Sequence, residues 1–328
     1  MKKDLLKTLL LDQLEQFKTK DLGKNGYLSA THKVAIVHDD FIQNGGAEKL
    51  VLCFLEIFPQ ADLFTSIISE EWEGKLLKLN PNLKISTGFI NKVFRKSRLY
   101  KSLAILYPIS FFLFRFKGYD LVISSTARFA HGIRTDKKTL HIAYVNSPAR
   151  MLWEPLPYFN KFLVPFLYPF ILVLRMWDKL ASSMPDVLIA NSKTIQNRIK
   201  KYWNRDSQII YPFHDLNKNS VVKVNKGEHF IMVSRLEKWK RIDLAIDACN
   251  RLKQKLIIVG EGKYKKALEK TANQRYVKFM GRLSDQDLID SYIGSKALIM
   301  TQKEDFGITS VEAQSFGVPV IAYKSGGA

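Results

Sequence analysis

The chain has 328 residues, a mass of 37.8 kDa and a formal charge of +20. With 46% apolar and 25% charged residues it is a folded protein and not a disordered tail, and its length predicts two domains of ordinary size. Its two cysteines, Cys53 and Cys249, sit in apolar segments without ligand or redox spacing and suit a reducing, cytoplasmic compartment.

Residues 1–32 read as an N-terminal extension. Within it DLLKTLLLDQLEQF spaces its leucines like a short amphipathic helix, and no apolar stretch with a cleavage site marks a signal peptide. KVAIVHD (33–39) predicts a strand and AEKLVLCFLEIF (47–58) a helix, with Gly45 and Gly46 between them. Paired glycines let the backbone turn tightly and let a ligand approach without meeting a Cβ atom, while the free amides that follow favour a phosphate. An ordinary tight turn uses the same residues, and neither a GxGxxG fingerprint nor a Walker motif accompanies them.

From Lys84 to Gly118 the chain carries eight Lys or Arg residues and no acid, and NKVFRKSRLYKSLAILYPISFFLFRF joins a basic cluster to an apolar one. Such a strip fits either peripheral contact with an anionic membrane or a solvated face followed by a core helix. Nucleic-acid binding is not expected, because neither zinc-finger spacing nor an RNA-binding signature accompanies the charge. ADLFTSI, DLVISS (120–125), KTLHIAYVN and DVLIANS (186–192) are further strand candidates. FLVPFLYPFILVLRMW (162–177) is too short for a spanning helix and is broken by Pro165 and Pro169, so it reads as a buried or interfacial element.

The polar stretch 211–228 is the expected linker, which places one α/β domain at 33–212 and a second at 213–328. In the second, EHFIMVSRL, QKLIIVGEG, YVKFMGRL, KALIMTQ and PVIAY alternate as strands with the helical patterns KRIDLAIDACNRL, KYKKALEKTAN, SDQDLIDSYIGS and FGITSVEAQSFG. That alternation implies parallel strands covered on both faces. Arg235 follows a strand and Lys240 is expected at the head of the next helix, so both cations can converge at the carboxyl edge, either on a diphosphate or as surface ion-pair partners. Gly260 marks a second small-residue strand exit. In EDFGITSVEAQSFGVPVIAYKSGG (304–327), Glu304 precedes a helix and Glu312 lies on it, with Gly307 allowing a bend and amides near Ile308 aimed at the same place. A carboxylate this close to apolar residues needs partners, and sugar or ribose hydroxyls are suitable ones.

These pieces resemble the retaining glycosyltransferases of the GT-B fold, family 4. The resemblance rests on GGAEKL, HIAYVNSPARMLWE, LIANSKTIQNRI, VSRLEKWKRIDLAIDA, LIIVGEG, VKFMGRLSDQDL and the Glu304 to Glu312 segment, and runs from about Lys33 to the end. It implies two Rossmann-like doubly wound domains facing a cleft, with a nucleotide diphosphate sugar, GDP-mannose among the candidates, as donor substrate and no metal or other cofactor. It further implies that Gly45 and Gly46 face the donor phosphates and the acceptor side, and that Arg235 and Lys240 hold the diphosphate. Glu304 would contact the transferred sugar, Glu312 the ribose, and the amides of Phe306, Gly307 and Ile308 the sugar or phosphate. HIAYVNSPARMLWE is most like members acting on mannose in bacterial polysaccharide assembly, with a glycan or lipid-linked acceptor at the inner face of the membrane.

Two departures stand out. Many relatives carry a histidine where this chain has Asn146, which cannot gain a proton as imidazole does, so either the role is only positional, or His131 or His141 substitutes, or activity is weak. Relatives also continue past SGG, so the C-terminal domain is expected to be incomplete. A catalytically silent sugar-nucleotide-binding protein, and an epimerase or hydrolase of related fold, are the alternatives to a glycosyltransferase.

Overall fold

The computed structural model describes residues 32–43, 45–94, 106–156, 158–159, 162–212 and 227–327. The chain divides into two units, Met1–Pro212 and Phe213–Ala328.

In the first unit seven strands form one parallel sheet: β1 (Val34–His38), β2 (Asp62–Thr65), β3 (Ile85–Thr87), β4 (Leu121–Thr126), β5 (Leu140–Val145), β6 (Val187–Ala190) and β7 (Gln208–Ile209). Their order is β3-β2-β1-β4-β5-β6-β7, so the winding reverses between β1 and β4. Every residue of β1 and β4 is buried, as expected of strands covered on both faces. The connections carry α1 (Gly46–Ile57), α2 (Glu70–Leu79), α3 (Phe89–Phe94), α4 (Tyr107–Leu113), α5 (Arg150–Trp153), α6 (Val164–Ala181) and α7 (Lys193–Trp203). Ala35, Val37 and Val122 pack with Phe111, Phe129 and Leu152 in one core cluster. Ala143, Val145 and Leu188 pack with Ile195, Ile199 and Trp203 in another.

Much of the basic strip, including Arg95, Lys96 and Arg98, lies outside the described residues. Its apolar continuation, α4, buries Tyr107 and Phe111 but exposes Ile109 and Leu113. The second apolar block forms α6, with Pro165 in the first turn, where a missing N–H costs little, and Pro169 inside. Only Ile171, Asp178 and Ala181 of α6 are buried, so the block is not a core element. Among the described residues no helix is long and apolar enough to cross a membrane.

The second unit has five parallel strands, β8 (His229–Val233), β9 (Lys255–Val259), β10 (Val277–Gly281), β11 (Ser295–Met300) and β12 (Val320–Ala322), in the order β10-β9-β8-β11-β12. Four helices alternate with them: α8 (Ile242–Leu252), α9 (Lys265–Thr271), α10 (Asp285–Ile293) and α11 (Ile308–Ser315). Ile242, Ala245, Ile246 and Cys249 turn one stripe of α8 onto the sheet at helical spacing. Here the winding reverses between β8 and β11, and the carboxyl ends of those two strands form the crevice where open α/β sheets receive ligands.

Candidate functional site

Of the residues expected around the donor, Arg235, Lys240 and Glu304 lie together past the carboxyl ends of β8 and β11. Past β8 the chain runs through Ser234 and the exposed Arg235 into a 3-10 turn, Lys238–Lys240. Lys240 therefore ends this turn instead of heading α8, because the intervening Arg241 adopts a left-handed conformation, φ 51°, and caps the helix. The displacement directs the Lys240 side chain inward. Its ammonium donates to the Glu304 carboxylate, while Thr301 Oγ1 donates to its carbonyl at 3.0 Å. Burial pulls the Lys240 ammonium below the ordinary lysine range; Glu304 opposes that shift and the nearby charge of Arg235 adds to it. Arg235, Lys240 and Glu304 thus share one electrostatic neighbourhood. Gln302 Nε2 also donates to Glu304, at 2.7 Å, and the buried Oε1 of Gln302 has no hydrogen-bond partner among the described residues.

The segment then bends through Gly307, φ 79°, whose carbonyl accepts from the Ser310 amide and hydroxyl at 2.8 and 2.7 Å as α11 begins at Ile308. Phe306 and Gly307 lie immediately ahead of that first turn. Glu312, on α11, is buried and accepts from the Tyr292 hydroxyl at 3.0 Å, and burial together with this carboxylate raises the Tyr292 phenol pKa far above its ordinary value. Neither glutamate is a freely solvated surface acid.

Gly260 has a role that its strand-exit position did not disclose. Its φ is +131°, and a Cβ there would lie 2.0 Å from the Ser234 carbonyl oxygen. Glycine lets the end of β9 pass against the segment that carries Arg235.

In the first unit Gly45 caps α1 in extended backbone, φ −134°, so no left-handed turn requires it. Its amide donates to the Glu48 carboxylate at 2.9 Å, so an acid of the same helix already occupies the first amide. Gly46 opens the helix and is exposed. The organising acid of this edge is Asp39, just after β1. Its carboxylate accepts the amides of Ala127, Arg128, Phe129 and Ala130 at 2.5–2.9 Å, tying the loop after β1 to the loop after β4. Arg128 pairs in turn with Asp40. His38 Nδ1 hydrogen-bonds the Ser125 carbonyl at 3.1 Å, and burial drives its pKa down to about 4.

Asn146 sits at the carboxyl end of β5. Its Nδ2 donates to Ser125 Oγ at 3.0 Å and its carbonyl accepts from Asn191 Nδ2 at 3.2 Å. His131 belongs to the same edge but is fully buried, between Thr126 Oγ1 at 3.3 Å and the Asp178 carbonyl at 3.4 Å, with its ring 4.6 Å from that of Trp203. It is neither a surface histidine nor an open proton carrier. His141 lies near the other end of β5, five residues or about 16 Å of strand from Asn146, so it cannot replace it. Its Nε2 is 2.9 Å from Ser124 Oγ, and burial lowers its pKa to about 3.

The model of the family "Glycosyl transferases group 1" matches residues 213–328. The chain is 28% identical over 148 residues to sulfoquinovosyl transferase SQD2 of Arabidopsis thaliana, covering 43% of this chain and 29% of that protein. It is 41% identical over 83 residues to a GDP-mannose-dependent monoacylated alpha-(1-6)-phosphatidylinositol monomannoside mannosyltransferase of Corynebacterium glutamicum, covering 22% of each. These matches span less than a third of either relative's length. Among solved structures, Anabaena HepE in complex with UDP-glucose superposes with a TM-score of 0.62 at 18% identity, covering 90% of this chain and 82% of that one. At that identity the likeness shows the fold.

Proposed function

We propose, from the match of residues 213–328 to the group 1 glycosyl transferases, that the chain transfers a hexose from a nucleotide diphosphate sugar to a glycan or lipid-linked acceptor. The observation that carries this reading is the Lys240–Glu304 pair at the winding reversal between β8 and β11, beside the exposed Arg235. A diphosphate entering that crevice meets two cations of different character: an arginine fork open to solvent and a lysine held in place by a carboxylate. As Lys240 turns toward phosphate oxygen, Glu304 is released to accept hydrogen bonds from sugar hydroxyls, while Glu312 receives the ribose. Mannose is the favoured sugar, because the matched corynebacterial relative is named as GDP-mannose-dependent.

Transfer proceeds with retention at the anomeric carbon. The resemblance to retaining family 4 enzymes points to a front-face route, in which the acceptor hydroxyl attacks from the face the leaving group occupies and its proton passes to the departing phosphate oxygen. Arg235, Lys240 and the amides at the head of α11 stabilise the charge that develops on that phosphate, the kind of preorganised contribution that usually dominates a rate enhancement.

A screen of nucleotide sugars by thermal shift tests the reading: one donor should raise the unfolding temperature, and the stabilised pair should then be assayed with glycan and lipid-linked acceptors for nucleoside diphosphate release. Donor binding without release under any acceptor would favour a catalytically silent protein. Sugar turnover without acceptor would favour an epimerase or hydrolase.

A further inference from the structure

Helix α6 presents its apolar side chains outward. Phe166, Phe170, Val173, Met176 and Leu180 follow one another at steps of four, three, three and four residues, which places them on one face, and they are 78%, 61%, 66%, 67% and 70% exposed. A surface helix ordinarily turns such a stripe onto the core and shows solvent its polar side. Here the inward side is fixed by polar contacts instead. The Asp178 carboxylate accepts the indole N–H groups of Trp153 and Trp203 at 2.7 and 2.6 Å, and Arg175 Nε donates to the Leu152 carbonyl at 2.7 Å. These contacts hold the helix in one rotation, with the apolar stripe facing away.

We propose that the outward face of α6 docks on an anionic lipid bilayer, with the helix lying in the plane of the interface. Its 18 residues make a rod about 27 Å long, and the stripe runs nearly the whole length. Charge selects the occupant. Between residues 155 and 185 the only acid is Asp178, which is buried, whereas the exposed Lys179 adds a cation to a chain of net charge +20. Anionic headgroups complement that surface; a second copy of the same chain would bring like charges together. The inference requires nothing of the donor site and stands apart from sugar transfer.

The test is sedimentation of the full chain with phosphatidylcholine vesicles, with and without phosphatidylglycerol, at low and physiological salt. The wild-type chain should pellet with the anionic vesicles, less as salt rises, and at least about tenfold less with the neutral ones. Phe166→Glu with Phe170→Glu should reduce pelleting at least about tenfold while leaving the unfolding temperature unchanged, because both side chains are already in solvent. If that pair fails to fold, Phe166→Trp reports the same contact through a blue shift of the added indole's emission on anionic vesicles, against the wild-type background. A wild-type chain that stays in the supernatant with both vesicle types overturns the proposal, as does equal pelleting of the Glu variant. So does a dimer that this variant converts to monomer while vesicle binding persists, since a second copy would then cover the stripe.

Discussion

Lys240 donates to the Glu304 carboxylate and so joins the turn after β8 to the segment after β11, across the point where the strand order of the second unit reverses. The pair keeps an otherwise costly buried cation in place before any ligand arrives. It also sets a competition, because a phosphate oxygen and Glu304 seek the same ammonium.

The two donor-edge cations should therefore behave differently when removed. Lys240→Ala leaves Glu304 part-buried without its cation and should lower stability by roughly 1–3 kcal/mol even without ligand. Arg235→Ala, at an exposed position, should leave the urea midpoint nearly unchanged. Yet it should weaken donor binding at least about tenfold, or about 1.4 kcal/mol. Equal stability losses in the two variants would count against the placement of Lys240.

The glutamates should separate in kinetics. Glu304→Gln keeps the shape but loses the charge that the proposed mechanism sets beside the transferred sugar, so kcat should fall more than donor affinity. Glu312→Ala should chiefly raise the donor Kd. Tyr292→Phe removes only the 3.0 Å hydrogen bond to Glu312 and should raise that Kd less than Glu312→Ala does. Calorimetry beside steady-state rates distinguishes these patterns, and the reverse ordering would exchange the roles of the two acids.

Gly260→Ala places a methyl group 2.0 Å from the Ser234 carbonyl at a positive φ. Strain of this kind costs on the order of 1–3 kcal/mol, and its relief would shift the backbone that carries Arg235. Both the unfolding temperature and donor affinity should fall. Loss of stability with donor affinity intact would show that the Arg235 segment does not depend on the close approach.

Much of this architecture was legible because its signals are local. The stripe Ile242, Ala245, Ile246 and Cys249 repeats at helical spacing, and the short apolar runs of β8 to β12 alternate with such stripes. Arg235 and Glu304 are legible as candidates for the same reason, since each lies within a few residues of a strand end. What escaped depends on partners distant in sequence. Asp39 gathers four amides some ninety residues away, and His131 is buried by Trp203 and Asp178, which no spacing in its own loop reveals. Gly260 answers to the Ser234 backbone, and Lys240 falls short of the helix because Arg241 turns left-handed. For helix α6 an apolar sequence does not tell which side the fold will cover.

The buried histidines make the stability of the first unit depend on pH. His38 and His141 titrate at about 4 and about 3, below the ordinary 6.5, because burial disfavours the imidazolium. The unfolded chain therefore binds protons first, so stability is greatest above pH 6.5 and declines as pH falls toward those values. Each group contributes a slope of up to about 1.4 kcal/mol per pH unit in that window. Urea midpoints at pH 7 and pH 5 should show the decline. His141→Gln, which keeps a partner for Ser124, should flatten it, and an unchanged slope would mean that His141 titrates alike in both states.

The most direct measurement is calorimetric titration of UDP- and GDP-hexoses into the wild-type chain and the Lys240→Ala variant. The account predicts saturable binding of at least one donor to the wild type, weakened at least about tenfold in the variant, with the corresponding free hexose failing to bind because the diphosphate supplies the main contact. Absence of binding by every donor, or a donor affinity that Lys240→Ala leaves unchanged, would contradict it.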